Sequence, residues 1–156
     1  MIQPRVGPRP NTTACAPHSQ VDQIPPDRAG LSRRLVASLA TLDAVSVGWS
    51  RRAPPGSVGL YLHPSCARTD ERAFLLGLEF AHVHADDDGS LHAILPEPLR
   101  SDAIEAGWAE PHPLAGRPSV SPDTVMIYAP RDEAEIAVVV DLVRAAWMNA
   151  HARLPA

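Results

Sequence analysis

Apolar residues recur at helical spacing in two long stretches of the chain. The first predicts a helix over 27–42, with an apolar face formed by Leu31, Leu35, Val36, Leu39 and Leu42. The second predicts a helix over 132–150, with an inner stripe of Ile136, Val139, Val140, Val143 and Trp147. Asp132, followed by Glu135, is a capping-box-like start for this helix. A shorter helix is expected at 98–107, where a proline lies near the first turn and a glycine at the end.

Alternation of apolar and polar residues predicts the strands. They are expected at 45–49, 57–62, 78–84, 90–95 and 124–128. An Asp-Asp-Asp-Gly run separates the third strand from the fourth and is typical of a tight turn, so these two strands should form a hairpin. The first half of the stretch 71–85 fits neither a helix nor a strand clearly.

This order of elements indicates an α+β fold. Strands that come in runs joined by tight turns form a largely antiparallel sheet, with helices packed on one face and the C-terminal helix against the sheet. The 17 prolines fall mainly in connections, because proline lacks an amide donor and fixes its own φ. We expect an extended, proline-rich N-terminal segment at 1–26 and a single domain at 27–156.

Composition narrows the possible functions. The 156-residue chain is 45% hydrophobic and has a net charge of -4, without a Lys/Arg-rich stripe, which argues against nucleic-acid binding. No apolar run approaches the roughly 20 residues of a membrane span, and the first residues do not resemble a signal peptide. Cys15 and Cys66 match neither a zinc motif nor a disulfide framework. These features predict a soluble, cytoplasmic protein.

The densest polar cluster lies on the third predicted strand. His82 and His84 should project from one face, about 7 Å apart, because alternate side chains of a strand share a face. Glu79 has the opposite parity and would reach the same site only through a bulge or bend. His92 shares the face only if the hairpin loop has an odd number of residues. A three-residue loop at 87–89 would set His84 opposite His92, whereas a two-residue loop would turn His92 away.

Imidazoles gathered on one face have three possible uses. They can ligate a metal, shuttle protons near neutral pH, or donate hydrogen bonds to an anionic oxygen. If a metal is bound, its expected ligands are His82, His84 and His92. The alternative is that some of these histidines are ordinary half-buried strand residues.

A fourth histidine, His112, is held between Pro111 and Pro113. The prolines stiffen a loop that could close over the same face, or they only shape a connection and leave His112 solvated. If the four histidines converge, charge repulsion opposes the protonation of several of their imidazoles at the same time. At least one imidazole should then have a pKa below the reference value of about 6.5.

Two arginines could bind an anionic substrate. Arg131 lies at the start of the last helix, whose N-terminus attracts anions, although capping and surface solvation are the commoner roles there. Arg9 is either a substrate clamp or a surface charge.

Several short motifs occur in an order and spacing typical of one family. They are E-F-A-H-V-H at 79–84, S-L-H at 90–92, G-W at 107–108, H-P-L-A-G at 112–116 and Y-A-P-R-D-E-A-E at 128–135. Together they resemble the fungal luciferase and its bacterial relatives over about 78–143. The G-P-R-P run at 7–10 also resembles a motif near the start of that domain.

The resemblance implies an enzyme that uses oxygen. The fungal enzyme oxidises a hydroxylated styryl-pyrone luciferin with molecular oxygen, releasing carbon dioxide and light, and is not known to need an organic cofactor or a metal. The catalytic residues implied here are His82, His84, His92, His112 and Glu79. The implied substrate-binding residues are Arg9, Asp88, Trp108, Tyr128 and Arg131.

We therefore expect a cofactor-independent, luciferase-like oxygenase that acts on a small enolisable or aromatic substrate. His82 or His84 would remove a proton, and molecular oxygen would be the co-substrate. The alternatives are a metal-binding protein and a non-catalytic small-ligand-binding domain that use the same histidine pocket. Because the chain lacks a counterpart of the fungal enzyme's membrane-anchoring segment, we expect no membrane association.

Overall fold

The fold is described for residues 1–152 of a computed structural model of the chain. The α-helices are α1 (Arg28–Leu39), α2 (Leu99–Glu105) and α3 (Glu133–Ala150), and a short 3-10 helix occupies Glu71–Ala73. The strands are β1 (Val45–Trp49), β2 (Val58–Leu62), β3 (Glu79–Val83), β4 (Leu91–Ile94), β5 (Ala109–Pro111) and β6 (Thr124–Ile127). This architecture confirms the α+β class expected from the sequence.

The strands form one antiparallel sheet with the order β1-β2-β3-β4-β6-β5. Each predicted strand forms within one residue of its expected bounds. The sequence pattern does not predict β5, because this short strand ends in a proline and shows no clear alternation. It pairs with β6 at the edge of the sheet, where a proline is tolerated.

The C-terminal helix α3 packs against the sheet and against α1, as expected. Ile136, Val139 and Val143 are buried as predicted, and so is Leu142. Val140 is only half buried, so the buried stripe is rotated slightly from the predicted one. Helical spacing alone does not separate a central position of the face from one at its edge. Among the helices of residues 1–152, none has both the length and the apolar character needed to cross a bilayer.

A β-bulge in β3 changes which side chains reach the site. Leu60 and Tyr61 are consecutive on β2, but their partners on β3, Ala81 and Glu79, are two positions apart. One extra residue on β3 resets the alternation of side chains. Glu79 therefore lies on the same face as His82, which a regular strand would not allow.

The hairpin between β3 and β4 closes through a loop at 85–89. This loop has an odd number of residues, so His82, His84 and His92 share a face. The register sets His82, not His84, opposite His92. A shorter loop at 87–89 does not form, because the Gly89 N–H donates to the His84 carbonyl at 2.9 Å.

The N-terminal segment, residues 1–26, is largely extended and is held to the body of the fold by polar contacts. The Arg5 N–H donates to the Ala106 carbonyl at 2.8 Å. Further along, the Ala129 N–H donates to the side-chain oxygen of Gln20 at 2.9 Å. The segment thereby covers the sheet face that α3 leaves open.

Candidate functional site

Five of the seven histidines meet on the sheet face opposite α3. His82 lies on β3, His92 lies on β4, and His84 directly follows β3. His112 follows β5, and His18 comes from the N-terminal segment. Neighbouring ring centroids lie 4.9–5.3 Å apart. The four histidines singled out in the sequence converge, and a fifth joins them.

The histidine cluster lines a cavity of about 240 Å³. Much of the remaining wall is apolar and includes Pro17, Leu75, Leu114 and Val120. Arg52 also lines this cavity and is a charged residue in its wall. An apolar wall with a few convergent polar groups suits a small organic molecule whose polar atoms meet the imidazoles.

His84 has a fixed partner on only one of its ring nitrogens. Its Nδ1 lies 3.1 Å from the Ser90 hydroxyl and 3.4 Å from Oδ1 of Asp88. Burial alone would raise the pKa of Asp88, but hydrogen bonds from His84 and Ser90 outweigh burial and lower that pKa. The carboxylate therefore favours the tautomer with the proton on Nδ1. The opposite nitrogen, Nε2, is buried and has no hydrogen-bond partner among residues 1–152.

His82 is held in a similar way by Glu79, whose Oε1 lies 2.9 Å from Nδ1 of His82. Glu79 is fully buried and also accepts hydrogen bonds from the hydroxyls of Ser50, at 2.6 Å, and Tyr61, at 3.2 Å. Burial alone would raise the pKa of Glu79, but the bonds from His82 and Ser50 outweigh burial and lower it. His82 thus carries its proton on Nδ1 and turns Nε2 towards the cluster.

A chain of close nitrogen contacts continues from His82. Its Nε2 lies 3.0 Å from Nδ1 of His92. The other nitrogen of His92, Nε2, lies 3.1 Å from Nδ1 of His18. Nε2 of His18 in turn lies 2.6 Å from Oε1 of Glu110. The chain therefore has a carboxylate at each end, Glu79 and Glu110.

Burial keeps most of the cluster neutral. It lowers the pKa of His92 well below the ordinary value of 6.5, and the nearby imidazoles of His82 and His84 lower it further. Burial also lowers the pKa of His82, despite the carboxylate beside it. For His112, burial and the proximity of His18 lower the pKa to about 4. These shifts agree with the expectation that at least one imidazole has a pKa below its reference value.

His112 lies at the rim of the cavity and is half buried. Its backbone N–H donates to the Thr124 carbonyl at 3.0 Å, and its Nδ1 accepts the Leu114 N–H at 3.1 Å. A neutral imidazole that accepts at Nδ1 carries its proton on Nε2. In that form His112 can donate a hydrogen bond to an anionic oxygen.

Comparison with known proteins relates this site to luciferases. Residues 77–146 match the family model described as the luciferase domain. The chain is 29% identical to the luciferases of Armillaria gallica and Armillaria ostoyae, over 92% of its own length and 59% of theirs. It is 39% identical to the luciferase of Neonothopanus nambi over 69 residues, which are 43% of this chain and 26% of that protein.

Residues 77–146 of the chain are therefore similar to the luciferase domain of the fungal luciferases. The matched range contains four of the five clustered histidines, and His18 lies outside it. This luciferase-like chain spans 59% of the length of the Armillaria luciferases that it matches. No solved structure matches it.

Arg9 and Trp108 of the luciferase-like chain are absent from the cavity lining and hold the N-terminal segment. Arg9 donates to the Ala109 carbonyl at 3.0 Å. Trp108 donates through Nε1 to the Gln3 carbonyl at 2.7 Å. Their role in substrate binding stays a prediction.

The other three expected substrate-binding residues also lie outside the cavity lining. Asp88 contacts Nδ1 of His84 and so orients its ring. The Tyr128 hydroxyl donates to Oε2 of Glu110 at 2.9 Å, and Arg131 forms an ion pair with a glutamate in the first turn of α3. These side chains can influence the site through their neighbours, and direct contact with a substrate stays a prediction.

The sequence did not place His18 and Glu110 among the candidate site residues. His18 is buried although it lies in a proline-rich segment without periodicity, and Glu110 lies on the unpredicted strand β5. The only available signal was a histidine in a segment able to wrap across the core. Neither position could be placed without the tertiary structure.

Two sets of three histidines within residues 1–152 could hold a metal ion. One set is His82, His84 and His92, and the other is His18, His92 and His112. In each set the ligand atoms lie within 4.8 Å of one another. The site can therefore accept a proton at one imidazole, donate to an anion from another, or bind a metal.

Proposed function

We propose that this luciferase-like domain is an oxygen-using enzyme that acts on a small enolisable or aromatic substrate in the histidine-lined cavity. One observation carries the proposal. His84 lines the cavity with a buried Nε2 that has no partner in the described part of the chain, while Asp88 holds its Nδ1. A neutral imidazole oriented by a carboxylate is the arrangement that general-base catalysis uses. Kinship with the luciferases of Armillaria supports the same reaction class.

In this proposal, His84 takes the proton of a bound enol or phenol. The sequence left His82 and His84 as equal candidates, and the structure favours His84 because Nε2 of His82 already contacts His92. Asp88 stabilises the imidazolium that forms. General-base catalysis of this kind contributes about 10²- to 10⁴-fold in rate.

The deprotonated substrate is an electron-rich anion that can react with molecular oxygen directly. His112 would donate its Nε2–H to the anionic oxygen, and Arg52 would add a positive charge at the cavity. This route needs no organic cofactor and no metal. Light emission by this chain belongs to the same proposal and is tested with it.

The test measures oxygen consumption and luminescence with a hydroxylated styryl-pyrone as the probe, using metal-free protein. We expect turnover by the unmodified chain and a loss of about 10²- to 10⁴-fold in kcat/KM for His84→Gln. The matched control is His63→Gln, because His63 is exposed and stands outside the cluster. Full activity of His84→Gln would remove His84 as the base. Saturable binding of the probe without oxygen consumption would support the non-catalytic alternative.

A further inference from the structure

The chain of contacts from Glu79 to Glu110 has more contacts than protons to fill them. Its four contacts, Glu79–His82, His82–His92, His92–His18 and His18–Glu110, each need one proton between the two atoms. Three neutral imidazoles supply one proton each, and two ionised carboxylates supply none. The chain therefore requires one additional positive charge, either a fourth proton or a cation in its place.

A second feature points to a cation between His82 and His92. The His84 side chain is 2% exposed and lines the same cavity, and no group of residues 1–152 donates a hydrogen bond to its Nε2. A buried acceptor without a partner destabilises the folded protein. A fourth proton in the Glu79–Glu110 chain would not reach this nitrogen, whereas a cation among the three imidazoles would satisfy it.

The three rings already have the orientation that metal ligation needs. Metal-bound histidines usually donate their other ring N–H to a carboxylate or another acceptor. Here the second nitrogen of His82 faces Glu79, and that of His84 faces Asp88. The second nitrogen of His92 faces His18. With a metal bound, His92 donates to His18, and His18 donates to Glu110. Every contact is then satisfied by neutral imidazoles.

The distances between the nitrogens fit a small cation after minor adjustment. Nε2 of His82 and Nδ1 of His92 are 3.0 Å apart. Two ligands of a tetrahedral zinc ion, with Zn–N of about 2.0–2.1 Å, lie about 3.3 Å apart. Ligand atoms of all three histidines fall within 4.8 Å of one another, so small ring rotations would close the set.

The second set of histidines is a poorer site. His112 accepts the Leu114 N–H at Nδ1. If its Nε2 bound a metal, the proton of the neutral ring would have to sit on Nδ1, where it would oppose that N–H. We therefore assign the ion to the first set.

We propose that His82, His84 and His92 bind one divalent first-row transition-metal ion, with a fourth coordination position open to the cavity. Three protein ligands with an open position are typical of catalytic rather than structural metal sites. The proposal does not rest on the oxygenase function, and it concerns a separate, metal-loaded form of the same pocket. An ion bound here uses the lone pair of His84, so the metal-loaded protein cannot use His84 as its base.

The experiment titrates Co²⁺ and Zn²⁺ into chelator-treated protein that has no histidine tag. We expect saturation at about one equivalent, with the intense visible bands of tetrahedral or five-coordinate Co²⁺, and displacement of Co²⁺ by Zn²⁺. His84→Gln should abolish these bands. Asp88→Asn, which removes only the carboxylate behind His84, should weaken binding by about 10- to 100-fold.

Two further variants serve as controls for the choice of ligands. His112→Gln and His63→Gln should each bind Co²⁺ within a few-fold of the unmodified chain. Circular dichroism establishes that each variant is folded, and if His84→Gln does not fold, Asp88→Asn decides. Absence of saturable binding by the folded chain would overturn the proposal. Unchanged bands in His84→Gln, or their loss in His112→Gln, would also overturn it. No substrate is used, so a failure here is separate from a failure of the oxygenase proposal.

Discussion

At the scale of single residues, the site depends on carboxylates that are buried or half buried but remain ionised. Each of them accepts several hydrogen bonds. Glu79 accepts from His82, Ser50 and Tyr61. Glu110 accepts from the His18 ring and from two hydroxyls. These bonds offset the cost of burying a negative charge and fix the protonation of the neighbouring imidazoles.

The same carboxylates affect both tyrosines of the chain. Burial, with Glu110 adding to it, raises the pKa of Tyr128 to about 12, and burial and Glu79 raise the pKa of Tyr61. A raised native pKa stabilises the fold below the unfolded value of about 10, and this contribution is lost as the pH rises further. Near pH 10 we expect little tyrosinate absorbance from the native protein.

The control for this prediction is the same protein in urea, which should be about half ionised near pH 10. Glu110→Gln should lower the pKa of Tyr128 in the folded protein, because it removes the negative charge next to the hydroxyl. Coincident titration curves for native and denatured protein would contradict the prediction.

At the scale of elements, α3 and the irregular strand β3 have different tasks. α3 is a regular amphipathic helix whose N-terminus is capped by Asp132, which accepts the Glu135 N–H at 2.9 Å. It forms much of the core against the sheet. β3 instead combines a bulge with a long hairpin loop, and both irregularities serve to aim polar side chains at the cavity.

The buried face of α3 is tested by placing a charge on it. Val139 is fully buried, whereas Val140 is only half buried and Ala137 is exposed. An unpaired buried charge costs several kcal/mol, a large share of the roughly 5–15 kcal/mol that stabilises a typical domain. We expect Val139→Asp to prevent folding, Val140→Asp to lower the melting temperature, and Ala137→Asp to leave it nearly unchanged. Equal melting temperatures for the three variants, measured by circular dichroism, would show that the face is misassigned.

At the scale of the whole molecule, the N-terminal segment completes a site that the rest of the chain only half encloses. It contributes His18 and Pro17 to the cavity. Gln20 connects the segment to the rest of the molecule at two points. Its backbone N–H donates to Asp88 at 2.6 Å, and its side chain accepts the Ala129 N–H at 2.9 Å.

Gln20→Ala should therefore destabilise the molecule. It leaves the Ala129 N–H without its acceptor, and an unsatisfied buried donor costs about 1–3 kcal/mol. Urea unfolding measures this loss. Gln3→Ala is the matched control, because the Gln3 side chain is exposed and only its backbone carbonyl bonds to Trp108. A loss of equal size in both variants would mean that the segment is not held through Gln20.

The sequence by itself determined the regular elements and the gathering of His82 and His84. Hydrophobic periodicity and strand parity are local properties, so they can be recognised in the sequence without knowledge of the fold. The odd-loop condition for His92 could be stated from the sequence, and so could the need for a bulge at Glu79. The sequence could not show whether the loop is odd in length or whether the bulge forms, because both depend on pairing with distant strands.

Only the tertiary structure decided which groups complete the site. His18 reaches His92 across 74 positions of sequence, and it meets Glu110 on a strand too short to show a pattern. Arg9 and Trp108 belong to motifs that resemble those of the fungal luciferase, yet they hold the N-terminal segment instead of lining the cavity. The physical reason is the same throughout. Proton sharing, ring orientation and burial are set by contacts between segments that lie far apart in the chain, and no local pattern encodes them.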